Sequence, residues 1–262
     1  MSTEPVLLEF KGTTAWITLN RPEHLNALSF ELTTALRAAI DAIGRSDARV
    51  IVITGAGRAF CAGGDLKGFK EAVVSGEHRL FTERLTEMME ALRRLERSPR
   101  PVIAAVNGVA VAGGLELILC CDIVIAADTA KIGDGHLNFG VIPGGGASVR
   151  LVKKLPANVA RRLLLTGELM PAAQLAAHGL VNEVVAPEAL IPTVTALADR
   201  IGRLSPLGVA RVKQLATDAM DQPVEQGLRS ELAAFEGYVH SRDFLEGLTA
   251  FEEKRAPRFT GR

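Results

Sequence analysis

At 262 residues and 48% hydrophobic content, the chain is long enough to bury a full core and suits one large domain, or one domain with a small appendage. Its 30 Lys and Arg balance 30 Asp and Glu, which excludes a generalised nucleic-acid surface but leaves room for a local basic patch that meets phosphates. Aromatic residues make up only 5%, too few for base-stacking platforms.

In chain order, residues 6–11 and 13–19 read as a hairpin about Gly12, ended by Asn20-Arg21-Pro22. Ser29 is placed to cap a helix reaching Arg45, with Leu32, Leu36, Ala39, Ile40 and Ile43 on one face. A buried strand over 50–54 is followed by a glycine-rich loop over 55–68. The spacing of Phe81, Leu85, Met88, Leu92 and Leu95 predicts a long helix over 77–97, stopped by Pro99 and Pro101 before a strand over 102–106. A short apolar helix is expected over 115–121 and a strand over 123–126, then a glycine cluster at Gly140, Gly144, Gly145 and Gly146. Helices over 147–154, 157–165 and 171–177, a strand over 181–185 and an almost wholly helical remainder from Pro187 complete the chain. The alternation of strand and helix implies an α/β core, and the helices from about Leu204 an appended unit. No internal sequence repeat is evident.

Three cysteines, Cys61 and the adjacent Cys120 and Cys121, suggest a reducing compartment. The start Met-Ser-Thr-Glu-Pro shows no basic and apolar leader, so a cytoplasmic location is expected. The apolar stretch 102–127 is interrupted by Asn107, Glu116, Asp122 and three glycines, which points to a buried strand–helix–strand unit rather than a membrane span.

Two stretches carry the chemistry: Ala59-Phe60-Cys61-Ala62-Gly63-Gly64-Asp65-Leu66 and Asn107-Gly108-Val109-Ala110-Val111-Ala112-Gly113-Gly114-Leu115-Glu116. Each follows a buried strand and can present bare backbone N–H groups, the second at a helix N-terminus. Two such donors from separate loops suit a thioester enolate, whose oxygen becomes negative in the transition state. Glu116, set among leucines, must be paired, solvated by a site or protonated; it is either an acid–base group with a raised pKa or a buried Glu satisfying local donors. His136 is a second candidate, structural or catalytic. Cys61 reads as a small residue packed under its loop rather than a nucleophile, and Asp65 as a loop tie through backbone N–H groups. Gly144-Gly145-Gly146 before a helix suits an anion or a plain turn. Gly55-Ala56-Gly57 begins a dinucleotide fingerprint, but Phe60 stands where its third glycine belongs, which makes a nicotinamide site a remote reading. The five histidines show no metal-ligand spacing, so no metal is expected.

Together with Asn20-Arg21-Pro22, Asn26-Ala27-Leu28, Asn107-Gly108, Gly113-Gly114-Leu115-Glu116, Cys121-Asp122-Ile123, Gly140-Val141-Ile142-Pro143-Gly144, Leu165-Thr166-Gly167 and Ala250-Phe251-Glu252-Glu253-Lys254-Arg255, these motifs make the chain resemble the crotonase, or enoyl-CoA hydratase/isomerase, superfamily over nearly its whole length. The resemblance implies a mixed α/β fold, a spiral of ββα units carrying two roughly perpendicular sheets, over residues 1–203, where acyl-CoA binds. It implies a helical oligomerisation and lid region over 204–262 and trimers or dimers of trimers. It assigns the oxyanion hole to the N–H groups of Gly64 and Gly113. It places Leu25, Ala27, Ala62, Asp65, Leu66 and Lys67 along coenzyme A, with Phe251 and Lys254 at a lid that reaches the nucleotide, often of a neighbouring subunit. Coenzyme A enters only as part of the substrate, with no permanently bound cofactor, no nucleic acid and no membrane.

Glu116 matches the first of the two glutamates that hydratases of this family use; the second position holds His136, with Asp134 two residues earlier. Glu23 stands where relatives often carry a basic residue near the CoA phosphates. The expected activity is reversible hydration of a trans-2-enoyl-CoA. Double-bond isomerisation, decarboxylation or hydrolysis stand as alternatives because of His136, and a non-catalytic acyl-CoA-binding protein as an alternative of another class. The segment 70–84, with His78 and Arg79, is expected to border the acyl pocket.

Overall fold

The computed structural model describes residues 4–262; the first three, part of the leader reading, lie outside the described residues. The strands are β1 Val6–Lys11, β2 Thr14–Leu19, β3 Val50–Gly55, β4 Ala59–Cys61, β5 Val102–Val106, β6 Val109–Val111, β7 Ile123–Ala127, β8 Lys131–Gly133, β9 Leu169–Pro171 and β10 Glu183–Val185. The helices are α1 Phe30–Gly44, α2 Leu66–Val74, α3 His78–Glu96, α4 Gly113–Leu119, α5 Ala147–Lys154, α6 Ala157–Thr166, α7 Ala172–Ala177, α8 Leu190–Gly202, α9 Pro206–Asp218, α10 Val224–Tyr238 and α11 Arg242–Glu252.

Two sheets result. The larger runs β1-β2-β3-β5-β7-β10, with β1 antiparallel to β2 and every later pair parallel. The smaller runs β4-β6-β8-β9, parallel except for its last pair. Three times in succession (β3–β4, β5–β6, β7–β8) a strand of the large sheet turns at once into a strand of the small one. The expected ββα repetition is therefore one of architecture, without a repeat in sequence.

The near-continuous apolar strands follow from burial on both faces. Ile51 and Ile53 of β3 point into the main core with Leu32, Leu36 and Ile43 of α1. Val50 and Val52 point the other way, into a second core closed by Leu190, Val194 and Ala198 of α8. Helix α1 starts where its cap predicts, with the Ser29 side chain accepting the Leu32 N–H at 3.2 Å.

The structure corrects several boundaries. The expected loop over 55–68 contains β4 and the first turn of α2, and β6 and β8 each add three residues of strand to the expected elements. Strands that short have no periodicity to read; they exist because neighbouring backbones need partners. The helix expected over 115–121 begins at Gly113, and the strand expected over 181–185 at Glu183. Buried Asn26 and half-buried Asn107 hold β4 in place. Both donate through Nδ2 to the Ala59 carbonyl, at 2.8 and 3.2 Å, while Asn26 also bonds Ala56 and Asn107 also bonds Gly57.

Beyond Leu204 the character changes, since α9 and α10 bury no residue of their own. Buried Asp243 ties this region together, accepting from Ser205 Oγ at 2.6 Å and from the N–H groups of Thr260 and Gly261. Lys213 of α9 reaches the core through Asp122 at 2.7 Å. Among the described residues no helix is long and apolar enough to cross a membrane.

Candidate active site

The site begins with backbone. Segment 25–28 is zipped to segment 62–65: the Ala62 N–H donates to Leu25 O (2.9 Å), the Leu28 N–H to Gly63 O (2.7 Å) and the Asp65 N–H to Leu28 O (3.2 Å). Leu28 and Gly64 thus form a parallel bridge. In such a bridge Leu28 bonds the residues on either side of Gly64, so the Gly64 N–H points away from Leu28. Asp65 caps α2 by accepting the Gly68 N–H at 3.3 Å and pairs with Arg21 at 3.4 Å, the loop tie read from its sequence.

The second backbone element is the start of α4. Ala112, between β6 and α4, takes φ 53° and ψ −114°, a conformation rare for a residue with a side chain and typical of functional turns. It is held there because its N–H donates to Gly133 O and its carbonyl accepts the Glu116 N–H, at 3.1 and 3.0 Å. The turn leaves the Gly113 N–H in the first, unpaired turn of the helix. Neither Gly64 nor Gly113 donates its N–H to a group among the described residues. A side chain at Gly114 would overlap the Cys61 carbonyl oxygen, so only glycine lets α4 pack this close to β4. Cys61 itself is buried, and burial pushes its thiol up to about 12, which removes it as a nucleophile.

Glu116 projects from the first turn of α4 and is only 1% exposed. Its Oε1 accepts the N–H groups of Gly145 (2.8 Å) and Ala147 (3.1 Å). The anion held by the Gly144-Gly145-Gly146 turn is therefore the chain's own carboxylate. Gly145 is required there, since a Cβ would come within 2.5 Å of Oε2. Arg150 secures the turn: its Nη1 donates to Gly145 O at 2.7 Å while Nε and Nη2 grip Glu96 of α3 at 2.8 and 2.7 Å. Burial raises the Glu116 pKa, and the two backbone N–H bonds and the His136 charge only partly oppose it. Glu116 is thus satisfied by local donors, as one sequence reading has it, and it also lines a cavity.

His136 opens the single turn after β8 and places Nδ1 2.9 Å from Oδ1 of fully buried Asp134. Burial disfavours the ring's charge, but the Asp134 hydrogen bond and the charges of Glu116 and Asp134 outweigh it, and the pKa rises. Glu116 and His136 lie within electrostatic reach of each other and line one cavity of about 260 Å³. Gly64, Gly113, Ala62 and Leu66 share its wall. Among the described residues no three His, Cys, Asp or Glu side chains gather as a metal site.

The remaining wall is apolar: Phe69 of α2, Phe81, Leu85 and Met88 of α3, and Phe139, Val141 and Ile142 from the segment that begins at His136. Phe69 and Phe81 stack edge to face at 5.1 Å, both against Phe30. The expectation that His78 and Arg79 border the pocket is not met. Both are exposed, Arg79 pairs with Glu83, and Phe81 is the residue of segment 70–84 that reaches the cavity. Leu25, Ala27, Asp65 and Lys67 adjoin the zipped loops without lining the cavity. Phe251, 84% exposed on α11, and Lys254 just beyond it are absent from the wall this chain forms. Sequence reading missed Phe69 and Arg150, and it marked Gly145 only as part of a triglycine suited to an anion or a plain turn, without its partner Glu116.

A family model described as enoyl-CoA hydratase/isomerase matches residues 9–262. The "Probable enoyl-CoA hydratase" of Rhizobium meliloti is 36% identical over 264 residues, covering 100% of both chains. The crotonyl-CoA hydratase of Syntrophomonas wolfei is 36% identical over 99% of each chain. The crystal structure of an enoyl-CoA hydratase from Bacillus anthracis superposes with a TM-score of 0.92 at 34% identity, covering 98% of this chain and 100% of that one.

Proposed function

Because the chain belongs to the enoyl-CoA hydratase/isomerase family, with the crotonase fold and lyase chemistry of its hydratases, we propose that it adds water reversibly to a trans-2-enoyl-CoA. The observation that carries this reading is the meeting of Glu116, His136 and the two undonated N–H groups of Gly64 and Gly113 at one apolar cavity. The cavity is small beside the ~300–1,000 Å³ of drug-sized ligand sites, so it takes the acyl group and thioester while coenzyme A runs outside. Segment 25–28 is bonded to segment 62–65, of which Ala62 and Gly64 line the cavity with Leu66 just beyond, which supports the assignment of Leu25, Ala27, Ala62, Asp65, Leu66 and Lys67 to the coenzyme.

In the forward direction the Glu116 carboxylate removes a proton from water as the oxygen bonds Cβ of the enoyl group. The π electrons move to the thioester oxygen, where the Gly64 and Gly113 N–H groups stabilise the charge by about 3 kcal/mol per donor. His136 then delivers a proton to Cα. The proton on Glu116 returns to His136, which restores both groups and leaves the elements of water across the former double bond. No resident cofactor is required. His136 in place of a second carboxylate favours one second reading: the same pair moving a proton between carbons, as in double-bond isomerisation, with decarboxylation or hydrolysis as variants on the same oxyanion site.

The reading also takes the chain as a trimer or a dimer of trimers. Val224, Leu228, Leu232 and Phe235 form an exposed apolar stripe along α10 at helical spacing, and α11 exposes Leu245, Leu248 and Phe251. Sedimentation that returns a monomer ends this part of the reading.

Hydration of crotonyl-CoA, followed as loss of the conjugated enoyl-thioester absorbance, tests the reaction. Turnover is expected in wild type, with Glu116→Gln and His136→Ala each lowering kcat by ~10²–10⁴-fold. Bound thioester without turnover would move the reaction elsewhere in the superfamily, or to a binding role if a thioester panel also fails.

A further inference from the structure

Asp134 contributes no group to the cavity wall, yet it is fully buried between β8 and the His136 turn. Of its two carboxylate oxygens, Oδ1 bonds the His136 ring and Oδ2 has no partner among the described residues. Half-satisfied buried carboxylates are expensive and call for an explanation. Fold stability is a poor one here, because the single bond Asp134 makes is to a ring at the reacting site. A carboxylate only accepts hydrogen bonds, so the shared proton sits on Nδ1. That leaves Nε2 as the nitrogen available to the cavity.

We infer that Asp134 is a positioning residue which fixes the His136 ring with its proton on Nδ1 and holds it as an imidazolium, so that His136 enters the reaction as the acid and Glu116 as the base. This rests on the hydration reading for its consequence, though not for its geometry. The charges around the ring support it. Asp134 faces it from its own turn and Glu116 from α4, while β6 offers the apolar Val111. Helix α6, packed against the turn, carries Arg161 and Arg162 on its exposed side, the latter paired with Glu168. Two carboxylates and no nearby cation favour the protonated ring, in keeping with the upward direction of its pKa.

Nitrogen NMR of wild type labelled at histidine, with His136 assigned by its loss in His136→Ala, tests the inference directly. The proton is expected on Nδ1 throughout, with His136 titrating above the ordinary histidine range. Asp134→Asn should lower that titration, move the basic limb of the kcat profile to lower pH and cut kcat about tenfold at pH 8, with KM nearly unchanged. A neutral ring protonated on Nε2 overturns the inference, as does an Asp134→Asn chain whose titration and profile stay in place. If that variant fails to fold, the wild-type tautomer decides alone. A wild-type chain with the Nδ1 proton and raised titration but no hydration of crotonyl-CoA sinks the hydration reading and leaves the Asp134–His136 assignment standing.

Discussion

The two sides of the cavity are built by different means. The side formed by α4, the Ala112 turn and the Gly145–Ala147 turn is made largely of backbone: the bare Gly113 N–H, a strained turn and a carboxylate gripped by two amides. Every residue of α4 is buried. The side formed by α2 and the first half of α3 is made of side chains. Helix α2 buries nothing, α3 buries only Met88 and residues beyond it, and the wall coheres through the Phe30, Phe69 and Phe81 contacts. Geometry set by backbone cannot drift one substitution at a time, whereas a wall of side chains can be reshaped without moving the reacting groups. Under the proposed hydration, the first side serves the reaction and the second the choice of acyl group.

The comparison breaks first at Gly145. Gly145→Ala drives a methyl group into Glu116 and is expected to lower kcat by about 10²-fold with little change in KM, read by steady-state hydration of crotonyl-CoA. Unchanged kcat would show that the carboxylate is not held by this turn. The opposite wall should respond otherwise. Phe81→Ala is expected to leave crotonyl-CoA turnover within a few-fold while raising kcat/KM for longer or bulkier enoyl-CoAs by about tenfold. Equal losses across the panel would mean that α3 belongs to the reacting side after all. A smaller change on that wall, Met88→Leu, keeps volume and should cost less than ~1.5 kcal/mol of stability, measured by denaturant unfolding.

The smallest effect sharpens the same contrast in stability. Burial raises the Glu116 pKa, so the fold disfavours the ionised carboxylate. Below the unfolded carboxyl value both states carry the proton and nothing is lost. As pH rises through the folded value the stabilising difference disappears. Glu116→Gln should therefore melt at the wild-type temperature near pH 4 and above it near pH 8. A lower melting temperature at both values would mark Glu116 as a structural residue.

Much of this was legible in the residues. Two-sided burial wrote β3 and β5 as unbroken apolar runs, and Ser29 announced α1. The glycine stretches before Asp65 and Glu116 marked two places of close backbone approach and tight turning, which demand glycine locally, while the choice of Gly64 and Gly113 as donors came from the family resemblance. A glutamate among leucines at position 116 marked itself, since an isolated charge cannot be buried without a purpose. What tertiary structure alone decided are the meetings of distant segments. Residues 25–28 with 62–65 orient the Gly64 amide, Gly145 and Ala147 bind a carboxylate 29 and 31 residues earlier, and Arg150 spans to Glu96. The three-residue strands β4, β6 and β8 belong to the same class. Local pattern records which face of an element is apolar, but a hydrogen bond between separate loops depends on where both are carried, and only the packed chain fixes that.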